Sequence, residues 1–121
     1  MDQTTSQSKH PIAITVFHDA VAWLQDNFPD FTWDSVCCVF PVRTKKDLSE
    51  VEYTDTETGE NFVKHLEDHI KALELLCNQV GQTLFVGGLR SPVDLTDACN
   101  WDAEVTDAYF QLVVYGEVIY G

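Results

Sequence analysis

Apolar residues recur at Phe17, Val21, Leu24 and Phe28, a spacing that places all four on one side of a helix from Val16 to Asn27. Asp19 and Asp26 fall on the opposite face, and Trp23 lies at the edge of the apolar arc, where it reads as a flanking core residue. Pro29 supplies the stop. A second stripe, Phe62, Leu66, His69, Leu73, Cys77 and Val80, predicts a helix from Glu60 to Val80 that ends at Gly81. Glu60 with Lys64 and Glu67 with Lys71 would pair across its turns.

Between the two helices the pattern turns to β. Ser35 to Phe40 is a short apolar run bounded by Asp34 and Pro41, which suits a buried strand. Val51 to Thr54 predicts a second strand with Val51 and Tyr53 inward, Arg43 to Ser49 being the polar connection. Glu57 to Glu60 reads as a turn into the second helix. Thr83 to Val86 is a further strand ending at Gly87-Gly88, a tight turn or close backbone approach. Ser91-Pro92 offers an N-cap and first helical position for a turn through Asp94 to Ala98.

Near the C-terminus Trp101, Val105, Ala108, Leu112 and Tyr115 share a helical stripe, with Asn100 as N-cap and Gly116 as terminator. That periodicity is favoured over a strand from Ala108 to Tyr115, which the β propensity of Tyr109, Phe110, Val113 and Val114 would also suit. Glu117 to Tyr120 predicts a short final strand, and the aromatic content predicts a docked C-terminus. The expected architecture is α+β: one small domain over 10–121, with two to three amphipathic helices on a short, mainly antiparallel sheet of three to four strands. Residues 1–9 read as a flexible tail.

Charge narrows the function. Twenty acids against seven bases give a net charge of −13 on 121 residues. Nucleic acid and anionic membranes are therefore disfavoured as direct ligands, because binding them requires cations to neutralise phosphate. From Pro11 to Val42, and again after Arg90, every charged side chain is an acid, while Arg43, Lys45 and Lys46 form a small basic cluster ahead of the acidic run Asp47 to Glu60. One-sided segments of this kind oppose compaction by self-repulsion, although acidity can also serve solubility alone.

The chain has no apolar run long enough for a membrane span and no apolar leader, so a cytoplasmic protein is expected. The adjacent Cys37 and Cys38 would point to opposite faces of a strand, and with Cys77 and Cys99 they read as free thiols. Candidate chemistry is thin. Asp55 to Glu60 misses the glycine position of a calcium loop, and Leu66 stands where its bidentate glutamate belongs. His65 and His69 have the spacing of helical zinc ligands, but Leu66 occupies the place of the general-base glutamate, so no metal and no cofactor is expected. The double glycine lacks a phosphate-loop pattern. A cysteine nucleophile, Cys37 or Cys38, would sit among carboxylates, which raise a thiol pKa, and Asp94 with Asp97 is one of many pairs that twenty acids allow.

The chain therefore reads as a non-catalytic binding or inhibitor protein, a nucleic-acid mimic that occupies the basic site of a nucleic-acid-binding protein or nuclease. In size and acidity it resembles counter-defence inhibitors of phage or plasmid origin directed against restriction or CRISPR nucleases, and also immunity proteins for basic nuclease toxins. No motif carries that resemblance further. The alternative is a small metabolic or regulatory domain, or a Cys/His-dependent enzyme, whose acidity only keeps it soluble. The expected partner-binding acids are Asp19, Asp26, Asp47, Glu50, Glu52, Asp55, Glu57, Asp94, Asp97, Asp102, Glu104 and Asp107, with Trp23 and Trp101 as weaker aromatic contacts.

Overall fold

A computed structural model describes residues 12–28, 38–79, 91–101 and 103–120. The tail at 1–9, Pro29, Cys37, most of the strand expected from Ser35, the Gly81 helix stop, the Thr83 to Val86 strand with its double glycine, and Asp102 lie outside them.

The first predicted helix is split. A single turn, α1 (Ile12–Thr15), is followed by an elbow at Val16 to Asp19, and α2 runs over Ala20–Asn27. His18 takes a left-handed φ of 64° at the elbow, and Asp19 becomes the N-cap of α2, its carboxylate accepting from the Ala22 N–H at 3.1 Å. An aspartate that satisfies an orphan helix donor competes with continuing the preceding helix, which is why the expected start at Val16 fails. The apolar stripe survives: Phe17, Leu24 and Phe28 are buried and Val21 is half-buried.

Three antiparallel strands follow, β1 (Val39–Thr44), β2 (Val51–Asp55) and β3 (Asn61–Lys64), with β2 in the middle. The first strand passes through Pro41 instead of ending before it, and its register shifts between Pro41 and Arg43. A residue without an N–H is tolerated at such a bulge. Val39, Pro41, Val51, Tyr53 and Asp55 face inward. At the β1–β2 tip Leu48 is buried at a φ of 63°, a left-handed conformation held by its own burial and by a 2.8 Å bond from its N–H to the Lys45 carbonyl.

The turn after β2 leads to β3, not to the second helix. Asp55 accepts from the N–H groups of Glu57 (2.8 Å) and Thr58 (3.2 Å), Gly59 takes a φ of 81°, and the Asp55 N–H returns to the Glu60 carbonyl. This reversal closes a hairpin and pairs Phe62 with Tyr53, removing Glu60 and Phe62 from the helix. Helix α3 (Leu66–Gln79) then begins where Asp68 accepts from the His65 N–H at 2.8 Å, the N3 half of a capping box.

Two 3₁₀ segments, Pro92–Thr96 and Ala98–Asn100, precede helix α4 (Ala103–Tyr115). Ser91 caps the first, as expected. Asn100 does not cap α4. It closes the second 3₁₀ turn and its side chain donates to the Asp94 carbonyl at 2.7 Å. Gly116, at a φ of 76°, ends α4 with a bond to the Leu112 carbonyl. Residues Glu117 to Tyr120 form no strand. The side chain of Gln111 holds them, accepting from the Ile119 and Tyr120 N–H groups at 2.8 Å each.

The architecture is α+β, with α3 and α4 packed together and α4 also lying against the sheet. At the centre Phe28 meets His69, Tyr109 and Phe110 edge-on, and Tyr53 stacks on His69. His69 is fully buried. Its Nδ1 donates to the His65 carbonyl at 2.7 Å, which leaves Nε2 to accept from the Tyr53 hydroxyl at 2.8 Å.

Burial holds the His69 pKa below its ordinary value of 6.5. Below 6.5 the unfolded chain therefore binds more protons than the folded one, and stability falls as the pH drops from 6.5 towards the lowered folded-state value. Urea midpoints should decline over that window in the native chain. Tyr53→Phe leaves Nε2 unsatisfied and should lower unfolding free energy by about 1–3 kcal/mol, measured by urea denaturation at neutral pH.

Candidate protein-binding surface

The folded chain sorts its acids into two groups. Asp55 belongs inside: it is buried and accepts hydrogen bonds from Tyr115 and, at 2.7 Å, from Tyr120, besides the two turn N–H groups. These bonds, led by that from Tyr115, lower its pKa, and the same carboxylate pushes the Tyr115 phenol up to about 12 and the Tyr120 phenol higher still. Asp55 is therefore not a partner contact. It ties the end of the central strand to the C-terminal segment.

Asp107 is also structural. One of its oxygens accepts from the Cys38 N–H at 3.0 Å and the other from the Gln111 amide at 2.9 Å, linking α4 to the start of β1. Asp94 accepts from the Ser91 N–H, and Asp97 from the Cys99 N–H, each at the start of a 3₁₀ turn. Trp101 is buried, its indole donating to the Leu95 carbonyl, so it is not a surface aromatic. Trp23 is half-buried against Trp101 and Phe17 and donates to the Thr96 carbonyl, as a flanking core residue would.

The displayed acids are the second group. Asp26, Glu57 and Glu104 are exposed and meet no cation among the described residues, and the same holds for Glu60, which closes the acidic run from Asp47, and for Glu67, which sequence reasoning passed over because it assigned it to a helical ion pair. Glu60 lies in a turn before β3, so the periodicity that paired it with Lys64 does not apply. Glu50 and Glu52 are partly neutralised, by Lys45 at 3.6 Å and Arg43 at 2.9 Å. Arg43 and Lys45 of the basic cluster are thus turned back onto their own hairpin, while Lys46 lines a cleft beside Asp26 and Asp47. Asp47 is exposed yet also caps its turn, and the Ser49 N–H at 2.9 Å is the main cause of its lowered pKa.

Three depressions border α2, the β1–β2 tip and the start of α3. Gln25 donates to the Asp47 carbonyl at 2.9 Å, so α2 and the β1–β2 tip share a cleft with Asp26, Lys46 and Asp47 on its walls. Beyond it Ser49, Leu66, Glu67 and Ile70 border a second hollow. Ile70 also lines a third, beside Asp19 and the elbow. Of the expected set the structure brings Asp26 and Asp47 together in one cleft, while Asp19 and Glu67 border the other two hollows, which are joined through Ile70. Asp55, Glu57 and Asp107 gather instead around Cys38.

No catalytic pairing of cysteine with histidine occurs among the described residues. Burial, then Asp107, Glu57 and Asp55, raise the Cys38 pKa, and burial pushes the Cys77 thiol up to about 12. Both changes suppress the thiolate that nucleophilic chemistry requires. Cys38, Cys77 and Cys99 are free thiols, no described group of histidines, cysteines and acids is arranged to hold a metal ion, and no described helix is long and apolar enough to cross a membrane.

Compared with known proteins, the chain matches no family model, no curated protein and no solved structure.

Replacing Asp55 by Ala should loosen the segment from Glu117 to Tyr120, leaving Gln111 as its remaining tie. Chymotrypsin should then cleave after Tyr115 and Tyr120 faster, and the thermal midpoint should fall. Glu57→Ala, which removes an exposed carboxylate from the same turn, should change neither.

Proposed function

We propose that this chain is a non-catalytic acidic binding protein that occupies the basic, nucleic-acid-binding site of a partner protein in the cytosol. The observation that carries this reading is the division of the acids. Even after Asp55, Asp94, Asp97 and Asp107 are used to hold the fold, Asp26, Glu57, Glu60, Glu67 and Glu104 remain displayed without a cation among the described residues. Leaving so many like charges uncompensated disfavours the folded state through repulsion, and a basic partner offsets that repulsion when it binds.

Rigidity supports the same reading. Asp26 projects from a helix, and Asp47 from a turn fixed by Gln25, by its own cap to Ser49 and by the buried Leu48. Carboxylates held in place can match the spacing of cations along a nucleic-acid channel without first losing conformational freedom. A restriction or CRISPR nuclease, whose channel is built to hold phosphates, is the partner class this surface best fits.

Binding to such a nuclease should weaken by about tenfold or more between low and high salt, and nucleic acid should compete with it. The triple charge reversal Asp26→Lys, Asp47→Lys and Glu67→Lys should slow association strongly in stopped-flow measurements while leaving dissociation less affected. Salt-independent binding, or turnover of a small-molecule substrate that disappears on substituting one cysteine or histidine, would refute the proposal.

A further inference from the structure

The groove beside the α1–α2 elbow has an apolar floor. Ile14, Val21 and Ile70 form that floor, and Thr15, His18 and Asp19 form its rim, around a volume of about 320 Å³. Ile14 is buried, while Val21 and Ile70 are only half-covered by the described residues. Ile70 continues the floor into the adjoining hollow, where Leu66 adds to it and Glu67 stands at the edge. An apolar strip thus runs between two carboxylates, Asp19 and Glu67.

Asp19 uses one carboxylate oxygen to cap α2 and is exposed. Its other oxygen is free to face a ligand among the described residues. The elbow that places it is fixed by the left-handed His18 and by the burial of Phe17. An apolar floor with anionic edges complements a long cationic side chain, whose methylene stem lies on the strip while its head reaches a carboxylate. A phosphate array has nothing comparable, since it presents no apolar surface between its charges.

We infer that this groove is the anchoring site for a basic, aliphatic-bearing segment of the partner protein, in which an arginine or lysine head meets Asp19 and an adjacent aliphatic side chain covers Ile70. The inference rests on the proposed function and sharpens it. Charge imitation brings the partner close, and the groove selects a protein site in which cations and aliphatic side chains alternate. General cation binding would not need the strip.

The test uses the full chain, labelled with nitrogen-15, in amide-resolved NMR titrations at low salt. The probes are a capped hexapeptide of alternating arginine and leucine and a second in which serine replaces leucine. The leucine peptide should bind at least threefold more tightly and should shift the amides of Thr15, His18, Val21 and Ile70. Asp19→Asn retains the helix cap, because asparagine caps as well as aspartate, and should raise Kd at least threefold with the amide spectrum otherwise unchanged. Ile70→Ala should abolish the difference between the two peptides. Equal affinities, or shifts centred on Glu57 and Glu104 instead of the groove, overturn the inference while leaving acidic binding intact. A chain that binds neither peptide removes both.

Discussion

Helix α4 is the constraint on which the rest of the structure depends. From Val105 to Val114 every side chain except Asp107 is buried, so this helix has no solvent face over most of its length and must be covered on all sides. Helix α3 and the sheet supply part of the cover, and the C-terminal segment folds back to supply more. Burying a helix so completely also traps polar groups, and their bonds determine what can lie beside it. The Tyr109 hydroxyl donates to the His69 carbonyl at 3.0 Å, which fixes α4 against α3. Gln111 spends both ends of its amide, one on the C-terminal backbone and one on Asp107. Each bond replaces one with water that burial has removed, so breaking a single partner leaves a costly orphan.

The same constraint explains the double use of acids. A carboxylate accepts several hydrogen bonds at once, and the chain places it where donors would otherwise go unsatisfied: at helix starts, in the hairpin turn and at the junction of α4 with β1. These positions gain from negative charge locally. The exposed acids gain nothing comparable inside the monomer, since the ion pairs of Glu50 and Glu52 lie at the surface and are worth about 0–1 kcal/mol each. Total charge therefore overstates the charge that is free of structural work, since several acids, Asp19 and Asp47 among them, already accept hydrogen bonds that hold the fold.

Much of the fold could be read from the chain because burial imposes periodicity. Leu24, Leu73 and Val105 lie on the helices their stripes predict, although Phe17, Phe62 and Trp101 fall outside them, the inward pair Val51 and Tyr53 lies on the central strand, and Ser91 and Gly116 stand at their expected ends. The misreadings share one cause. At Asp19, Asp55 and Asn100 a side-chain hydrogen bond redirects the backbone over a few residues, and hydrophobic spacing carries no record of that competition. The site was less legible for the same reason. Which acid is displayed and which is an internal strut depends on donors distant in sequence, such as Tyr115 and Tyr120 for Asp55 or Cys38 for Asp107. Glu67 and the apolar groove at Ile70 emerge only when α1, α2 and α3 are brought together.

Strain marks where that assembly matters. Among the described residues two that are not glycine adopt left-handed backbone, His18 at the elbow and Leu48 at the hairpin tip. Each such conformation costs free energy that ordinary sequence changes could remove, so each must be held by its surroundings. Leu48 is held by complete burial of its side chain, and His18 by the buried Phe17 before it and the cap residue Asp19 after it. Each strained residue adjoins an acid with a capping bond, Asp19 on the Ala22 N–H at the start of α2 and Asp47 on the Ser49 N–H at the hairpin tip. The backbone thus fixes the direction of these carboxylates at a cost in stability.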